Sequence, residues 1–212
     1  MTNRDMSTEV TLAVGKSRRL KTAMTLMAAL VTATAISPLA QADWSIAEGS
    51  LVGFVSIKKN SIAENNHFSG VTGSLSDDGA IVASVDLSTV ETKVPIRNQR
   101  MMQLLFEVAN YPEAQVSGQL DPVDIAQLAA GATVERAVPL TLSLHGSTAT
   151  VSATLLAVKV AEGVRVTTVE PIILNARDFG LEPGIAALQE VAGLDAISRA
   201  VPVTLDLLLT SD

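Results

Sequence analysis

Residues 138–148 read VPLTLSLHGST, and this stretch decides the fold. Every second residue from Val138 to Leu144 is valine or leucine, while the residues between them are mostly polar. A period of two is typical of a β-strand that buries one face. Gly146 then supplies a residue able to adopt positive φ at a tight hairpin. A second alternating run starts at Thr148, so the stretch predicts two antiparallel strands.

The same alternation recurs on both sides of this hairpin. Glycines in Asp77-Asp78-Gly79 and Ala161-Glu162-Gly163 supply further hairpin turns. With Val138–His145, the alternating runs predict about eight strands in antiparallel, up-and-down order, and these strands must stack as a sandwich or close as a barrel. The other runs are Trp44–Ile57, Phe68–Leu75, Ile81–Ser88, Ala114–Leu120, Thr148–Val158, Val164–Ile173 and Val201–Leu209.

Three segments have helical rather than alternating periodicity: Ile96–Glu107, Val123–Ala130 and Pro183–Ala192. In the first, Arg97 and Arg100 are predicted to lie opposite an apolar stripe formed by Met101, Leu104, Leu105 and Val108. No internal repeat or low-complexity linker divides the chain. The sequence therefore predicts a single all-β domain with short helices.

The first 42 residues have a different composition from the rest. A basic segment from Lys16 to Lys21 precedes the uncharged run Thr22–Ile36, and Ala40-Gln41-Ala42 offers a small-x-small cleavage site. The apolar run is shorter than the roughly 20 residues that a membrane-spanning helix needs. We therefore expect residues 1–42 to be a cleaved signal peptide, residues 43–212 to be the exported domain, and no stable membrane insertion.

The charge of the exported domain limits its partners. Removing residues 1–42 takes away five of the 15 basic and two of the 22 acidic residues, which leaves a formal charge of −10. Such a charge repels nucleic acid and anionic membrane surfaces, so neither is expected as a partner. The chain has no cysteine, which excludes disulfides, thiolate metal sites and cysteine nucleophiles.

Residues that could carry catalysis are few. The two histidines, His67 and His145, lack metal-ligand spacing, and both are expected to be exposed near turns. Asp77-Asp78 and Asp121 with Asp124 lie in turn or cap contexts rather than as catalytic carboxylates. The sequence contains no phosphate loop or nucleophile elbow. We predict no catalytic residue, no metal and no enzyme. A lipid isomerase or hydrolase would need a titratable group inside the barrel, and His67 is the one candidate.

The interior of the barrel has two interpretations. An eight-stranded barrel can be filled by its own side chains or can hold one ligand. Aromatic residues make up only 3% of the chain, which favours an open cavity, but leucine and isoleucine can also fill a core. An apolar cavity would favour an apolar guest.

Short motifs along the chain resemble those of a known family. Trp44-Ser45-Ile46 is similar to the opening of that family, and Phe106-Glu107-Val108 with Tyr111-Pro112 to its Phe-Asp-Val…Tyr-Pro turn. Leu142–Gly146 is similar to a strand that ends in His-Gly, and Arg177–Leu181 to an Asp-Phe-Gly element. The order of these motifs resembles the YceI-like, polyisoprenoid-binding, lipocalin-like periplasmic proteins.

One motif departs from the family pattern. Residues 96–101 are similar to its Arg-Asp-x-His-Leu segment, but Asn98, Arg100 and Met101 replace the aspartate, histidine and leucine. Ala47 also stands where the family has an acid after its opening motif. These replacements leave open how a polar head group would be held.

The resemblance implies an eight-stranded antiparallel lipocalin-like β-barrel with an elongated apolar pocket. Its guest would be an isoprenoid, such as a quinone or a polyprenyl chain, or another long-chain lipid, with no other cofactor. The protein would be periplasmic, and would store or transport this lipid. A stress-related or structural envelope protein with a packed barrel and no lipid is the alternative. The oligomeric state is open, and a homodimer is one option.

The period-two faces and the resemblance together predict the lining of this pocket. Arg97 or Arg100 would meet the polar head group, and a solvated helix face is the alternative for both. The residues predicted to line the pocket are Val52, Phe54, Val85, Leu87, Leu104, Phe106, Leu142, Leu144, Leu155, Phe179, Leu205 and Leu207.

Overall fold

The computed structural model describes residues 42–211, and the predicted signal peptide lies outside them except for Ala42. These residues form three α-helices, α1 (Pro95–Arg100), α2 (Pro122–Ala129) and α3 (Glu182–Ala192). The strands are β1 (Ala42–Ile46), β2 (Leu51–Lys58), β3 (Ile62–Phe68), β4 (Val71–Ser76), β5 (Ala80–Asp86), β6 (Val90–Glu91), β7 (Glu113–Gln119), β8 (Val134–Leu144), β9 (Ser147–Val160), β10 (Gly163–Thr168), β11 (Ile172–Asn175) and β12 (Ala200–Thr210).

Eight of these strands close into a barrel. The order is β1-β4-β5-β7-β8-β9-β10-β12, and β12 pairs with β1 to complete the ring. Every pairing is antiparallel. The prediction of an eight-stranded antiparallel barrel with short helices is confirmed. The sequence runs 44–57 and 164–173, each predicted as one strand, are each interrupted to give two strands.

The barrel extends at one end through a second set of pairings. The first half of β12 pairs with β2 on one edge and with β11 on the other. β2 continues the sheet to β3, and β3 pairs with the short β6. Beyond β6 the chain leaves the sheet and forms α1. This end of the barrel is therefore built from both strands and helices.

The helix predicted over 96–107 starts at Pro95, which suits a first turn because proline has no N–H to leave unpaired. After Arg100 it widens into a π-helical turn at Met101–Leu105. The Phe106 N–H donates to the Met101 carbonyl five residues earlier, at 2.9 Å. A π turn inserts an extra residue and rotates the side chains that follow it.

A second hydrophobic core lies at the opposite end of the barrel. Asp121 caps α2 by accepting from the Val123 N–H at 2.9 Å, and buried Asp124 forms an ion pair with Arg136 at 2.9 Å. Both acids therefore have structural roles, as predicted. α2 lies over a core that consists of Trp44, Leu75, Ile125, Leu128, Val134, Ala157, Val164 and Leu209. We call this end the packed half.

Helix α3 lies against the π-helical turn with little space between the two backbones. A Cβ added at Gly184 would lie 2.5 Å from the Leu104 carbonyl oxygen and 2.8 Å from the Leu105 Cα. Backbone atoms at this separation cannot move aside as a flexible side chain can. Glycine at this position thus fixes how closely α3 approaches the barrel.

Gly184→Ala is expected to lower the free energy of unfolding by roughly 1–3 kcal/mol, because the added methyl group forces the helix outward. Helix propensity alone predicts the opposite sign, a gain of about 1 kcal/mol. Urea denaturation of the variant decides between the two. Ala186→Gly, at an exposed position of the same helix, is the control and should cost about 0.5–1 kcal/mol. A Gly184→Ala protein as stable as the wild type would contradict the close packing.

Candidate functional site

The other half of the barrel encloses an apolar cavity of about 440 Å³. Its walls come from β2, β3, β5, β7, β8, β9, β11 and β12, and helix α3 with the π-helical turn covers one side. The deepest residues include Leu140, Val151 and Leu205, which lie next to the packed half along their strands. The polar lining residues are Ser56, Lys58, Glu64, Arg97, Arg100 and Ser198. We call the part of the barrel that contains this cavity the hollow half.

Nine of the twelve residues predicted to line a pocket do line this cavity. They come from four strands, the segment that follows β5, the residue that ends the π-helical turn, and the short helical turn after β11. Contact of these side chains with a lipid stays a prediction. The nine are Val52, Phe54, Val85, Leu87, Phe106, Leu142, Leu144, Phe179 and Leu205.

Leu155 and Leu207 are predicted lining residues that lie outside the cavity. Both are on the inward face of their strands, as their period predicts, but they lie too deep. Leu155 packs with the buried cluster of Val138, Leu140 and Ala153. Leu207 follows Leu205 on the inward face of β12, on the side toward the packed half. Periodicity indicates which way a side chain points and does not indicate where the cavity ends.

Leu104 also lies outside the cavity, for a different reason. A regular α-helix would place Leu104 on the same stripe as Met101. The π turn instead places Leu105 and Phe106 beside Met101 on the lining. The segment was interpreted as a uniform helix, and this interpretation placed the lining residue one position too early, at Leu104 instead of Leu105.

Several lining residues were missed because their segments had been assigned no part in the pocket. Helix α3 contributes Ile185, Leu188 and Val191, and the loop after it contributes Leu194 and Ile197. The apolar spacing of residues 185–191 at i, i+3 and i+6 was a usable signal for a buried helix face. It gives no information on which cavity that face covers.

Arg97 lies at the cavity mouth and is mostly buried, with 27% of its side chain exposed. Its Nη1 donates to Glu64 Oε2 at 2.6 Å, and its Nη2 donates to the Thr92 carbonyl at 2.6 Å. Its Nε is buried and has no hydrogen-bond acceptor within residues 42–211. The alternative of a solvated helix face is thus wrong for Arg97. Arg100 also lines the cavity, and its Nη1 donates to the Val191 carbonyl at 3.3 Å.

Glu64 links the two sides of the mouth. Its Oε2 accepts from Arg97 and lies 2.9 Å from Lys58 Nζ. The hydrogen bond from Lys58 lowers the pKa of Glu64 below its ordinary value, burial opposes this, and Arg97 lowers it further. One carboxylate therefore holds two cations at the entrance. Neither Lys58 nor Glu64 was predicted as a site residue.

A buried amide lies below this ion-pair cluster. Asn66 is only 4% exposed, and its Nδ2 donates to Ser56 Oγ and to the Glu64 carbonyl, both at 3.0 Å. The Asn66 Oδ1 is buried without a donor in the part of the chain that the structure describes. Among the buried side-chain atoms of the described residues, this region thus has one donor without a partner, Arg97 Nε, and one such acceptor, Asn66 Oδ1.

The depressed pKa of Glu64 predicts a pH-dependent contribution to stability. A group whose pKa is lowered by folding stabilises the protein above its unfolded pKa, about 4.3, and loses that effect as the pH falls through the folded value. Glu64→Gln should therefore cost roughly 0.5–1 kcal/mol near neutral pH and almost nothing in acid. Urea titrations at several pH values measure this difference, with Glu162→Gln on an exposed turn as the control. A cost that stayed constant down to acid pH would contradict the ion-pair role.

The histidines occupy different environments from those predicted. His67 is half-buried and lies on the opposite face of β3 from buried Asn66 and Phe68, paired in register with Glu91. It does not line the cavity. His145 was expected to be exposed, but only 15% of its side chain is accessible. Its ring packs against Tyr111, with 4.4 Å between the two ring centroids. His145 Nε2 lies 3.4 Å from Glu107 Oε1.

Within residues 42–211, no group of three or more histidine, aspartate or glutamate side chains is arranged to hold a metal ion. None of the helices in this range combines the length and the apolar composition needed to cross a bilayer.

Comparison with known proteins finds several similar chains among solved structures. A polyisoprenoid-binding domain from Saccharophagus degradans, implicated in plant cell wall breakdown, shares 33% sequence identity with this chain. The match covers 81% of this chain and 100% of that domain, with a TM-score of 0.77. Curated protein sequences give no significant match.

A more distant structure shares the fold. BcnA from Burkholderia cenocepacia aligns with a TM-score of 0.58 at 13% identity, covering 76% of this chain and 96% of that protein. The family model of the YceI-like domain matches residues 44–209, a range that runs from β1 to β12. With its closed eight-stranded barrel and its helix-covered apolar cavity, the chain belongs to the YceI-like family.

Proposed function

We propose that this protein holds one long-chain apolar lipid, of the isoprenoid class, with its tail in the hollow half of the barrel. The observation that carries the proposal is the apolar cavity of about 440 Å³, which charged side chains border. The lipid would enter with its tail first and leave its head group among Lys58, Glu64, Arg97 and Arg100.

The lining favours a hydrocarbon guest over water. Water in such a cavity would find few hydrogen-bond partners, and ordered buried water needs two to four of them. Each methylene transferred from water to the cavity contributes about 0.8 kcal/mol. Fifteen carbons of tail therefore provide on the order of 10 kcal/mol before the entropic costs of binding. An isoprenoid or another long chain meets this requirement, and a small polar metabolite does not.

The mouth suits a polar head group. Arg97 is held in place by Glu64 and Thr92, so its orientation is fixed before a ligand arrives. Its guanidinium borders the cavity and would attract an oxygen of the head group. Arg100, which also lines the cavity, would add a second donor. A quinone carbonyl, a hydroxyl or a phosphate could accept these hydrogen bonds.

The isoprenoid class is supported by one relative. The polyisoprenoid-binding domain from Saccharophagus degradans aligns over its entire length at 33% identity. The likeness includes the cavity-bearing half, since the alignment spans the whole of that domain. We extend the chemistry of its guest to this chain as part of the proposal.

The proposed role is binding and not catalysis, and its location is the periplasm. The carboxylate of Glu64 is engaged by two cations, and His67 does not line the cavity, so neither is placed to act on a bound tail. Export rests on the signal-like sequence of residues 1–42. In the periplasm a soluble barrel could store a lipid or transport it through water.

Native mass spectrometry of the protein purified from its own cell envelope tests this function. We expect a mass increment that organic extraction removes, and recovery of that increment when the empty protein is mixed with a ubiquinone or a polyprenol. A protein that is purified empty and takes up neither isoprenoid would overturn the proposal. Uptake of a fatty amide but not of either isoprenoid would overturn the isoprenoid class.

A further inference from the structure

Four exposed apolar side chains lie on the segments that form the mouth of the cavity. Ile62 is 44% exposed, Val94 39%, Ile96 52% and Val191 45%. They account for half of the large exposed hydrophobic residues found in residues 42–211. A cluster of this kind around an opening marks an interaction surface, whereas scattered surface hydrophobics need no explanation.

Each of these residues is directly connected to the mouth. Ile62 pairs in register with Lys58, and Ile96 precedes Arg97. Val191 lines the cavity itself, and Val94 lines a small recess that includes Glu64 and Arg97. We define the rim as the three segments that contain them, residues 58–64, 91–100 and 190–198.

The rim differs in charge from the remainder of the domain. It contains five of the ten basic residues of the predicted mature chain, namely Lys58, Lys59, Lys93, Arg97 and Arg100, but only four of its 20 acidic residues. The rim is therefore slightly positive, with a formal charge of +1, while the other residues of 43–212 sum to −11. Lys59 and Lys93 are exposed and project from positions with positive φ, 51° and 64°.

We propose that the rim docks on the surface of a phospholipid bilayer that contains anionic lipids, so that the cavity opens directly onto the membrane. Lysine and arginine at such a surface are attracted by its negative potential. The exposed isoleucine and valine side chains would enter the interfacial region. The acidic remainder of the domain would be repelled, and this repulsion orients the mouth toward the bilayer.

This proposal differs from one expectation drawn from composition. A formal charge of −10 predicts repulsion from anionic membranes, but it describes the domain as a whole and not its distribution of charge. The biological reason for docking rests on the proposed function, since a protein that carries a lipid must collect it from a membrane. The binding of the rim to a bilayer does not depend on that function. Contact with the bilayer would spare the tail from crossing water.

Flotation of the purified protein with vesicles tests the proposal. We expect it to float with vesicles of phosphatidylethanolamine and phosphatidylglycerol, and much less with phosphatidylcholine vesicles. The charge variant Lys59→Glu with Lys93→Glu should bind at least tenfold more weakly, because each lysine contributes about fivefold. About 1 M salt should weaken the wild type similarly, because it shortens the screening length to about 3 Å. The apolar variant Ile62→Asp with Ile96→Asp should also lose binding.

Control variants make single substitutions of the same two kinds away from the rim. Val82→Asp alters a valine that is 59% exposed on β5, and Arg177→Glu reverses a charge that is 73% exposed. Both should float like the wild type. Circular dichroism of every variant establishes that the barrel is folded.

Loading of the cavity is measured separately, by native mass spectrometry after addition of a polyprenol from ethanol. Rim variants that load normally but do not float would support docking. A wild type that loads but stays away from anionic vesicles would overturn docking and leave the proposed function intact. Flotation of the rim variants equal to that of the wild type would also overturn it.

Discussion

Leu205→Trp is expected to reduce lipid uptake at least tenfold while changing the free energy of unfolding by less than about 1 kcal/mol. Leu205 lines the cavity on the inward face of β12, so the larger indole ring occupies space that the structure leaves for a guest. Each methylene that the ring excludes removes about 0.8 kcal/mol of binding, so two already account for a tenfold loss. Native mass spectrometry measures uptake and urea denaturation measures stability.

The same substitution four residues later is a matched control. Leu209 lies on the same strand and the same face but in the packed half, where it is 7% exposed. Leu209→Trp should cost roughly 1–3 kcal/mol through overpacking and leave uptake unchanged in the folded protein. Equal effects of the two variants on uptake would contradict the division into a hollow and a packed half.

Phe179→Ala is expected to cost roughly 3–5 kcal/mol of stability. Phe179 is 1% exposed, among the least exposed side chains of the described residues, and it packs in the core that surrounds the cavity. It ends a short helical turn, Ala176–Phe179, whose following residue, Gly180, has a φ of 65°. Removal of the ring would enlarge an existing cavity, and neighbouring side chains would not fill the space that it leaves. Urea or thermal denaturation measures the cost.

Phe179→Leu is the companion to this variant. It retains most of the apolar volume and should cost less than about 1.5 kcal/mol. Addition of a tightly bound lipid should recover part of the stability of both variants, since a ligand at 100 times its Kd adds about 2.7 kcal/mol. A Phe179→Ala protein with wild-type stability would show that the ring does not support the cavity wall.

The strands were predictable because alternation records which face of a strand is buried. The stretch 138–148 does form the β8–β9 hairpin, with Leu144 paired with Ser147 around the turn. Closure of the barrel was harder to predict from the sequence, since the β1–β12 pairing joins residues at opposite ends of the domain. No local pattern encodes a pairing of that kind, and the all-β composition alone allowed a sandwich as well.

The sequence predicted which side chains point into the barrel, but not how far the cavity extends along it. Both Leu205 and Leu207 point inward, and only the three-dimensional packing determines that the cavity ends between them. The choice between a cavity and a packed core had no single answer, because the barrel contains one of each. The low aromatic content did not distinguish the halves, since Trp44 lies in the packed half and Phe54, Phe68 and Phe106 form a cluster beside the cavity.

The mouth was the least predictable part of the site. Arg97 was identified through its position on a helix, but its partner Glu64 is 33 residues away on β3. Lys58 and Glu64 read as ordinary surface charges that flank a hairpin turn. Their role depends on how β2 and β3 approach α1, which is a property of the tertiary structure. The difference in charge between the rim and the remainder of the domain could not be read from the sequence for the same reason.

The central claim is that an isoprenoid tail occupies the hollow half of the barrel and stops at the packed half. Intermolecular NOEs between a bound polyprenol and the ¹³C-labelled methyl groups of leucine and valine test it most directly. The account predicts NOEs from the lipid tail to Leu142, Val151 and Leu205, and none to Val164 or Leu209. NOEs confined to the exposed valines of the rim, with none to Leu142 or Leu205, would contradict it.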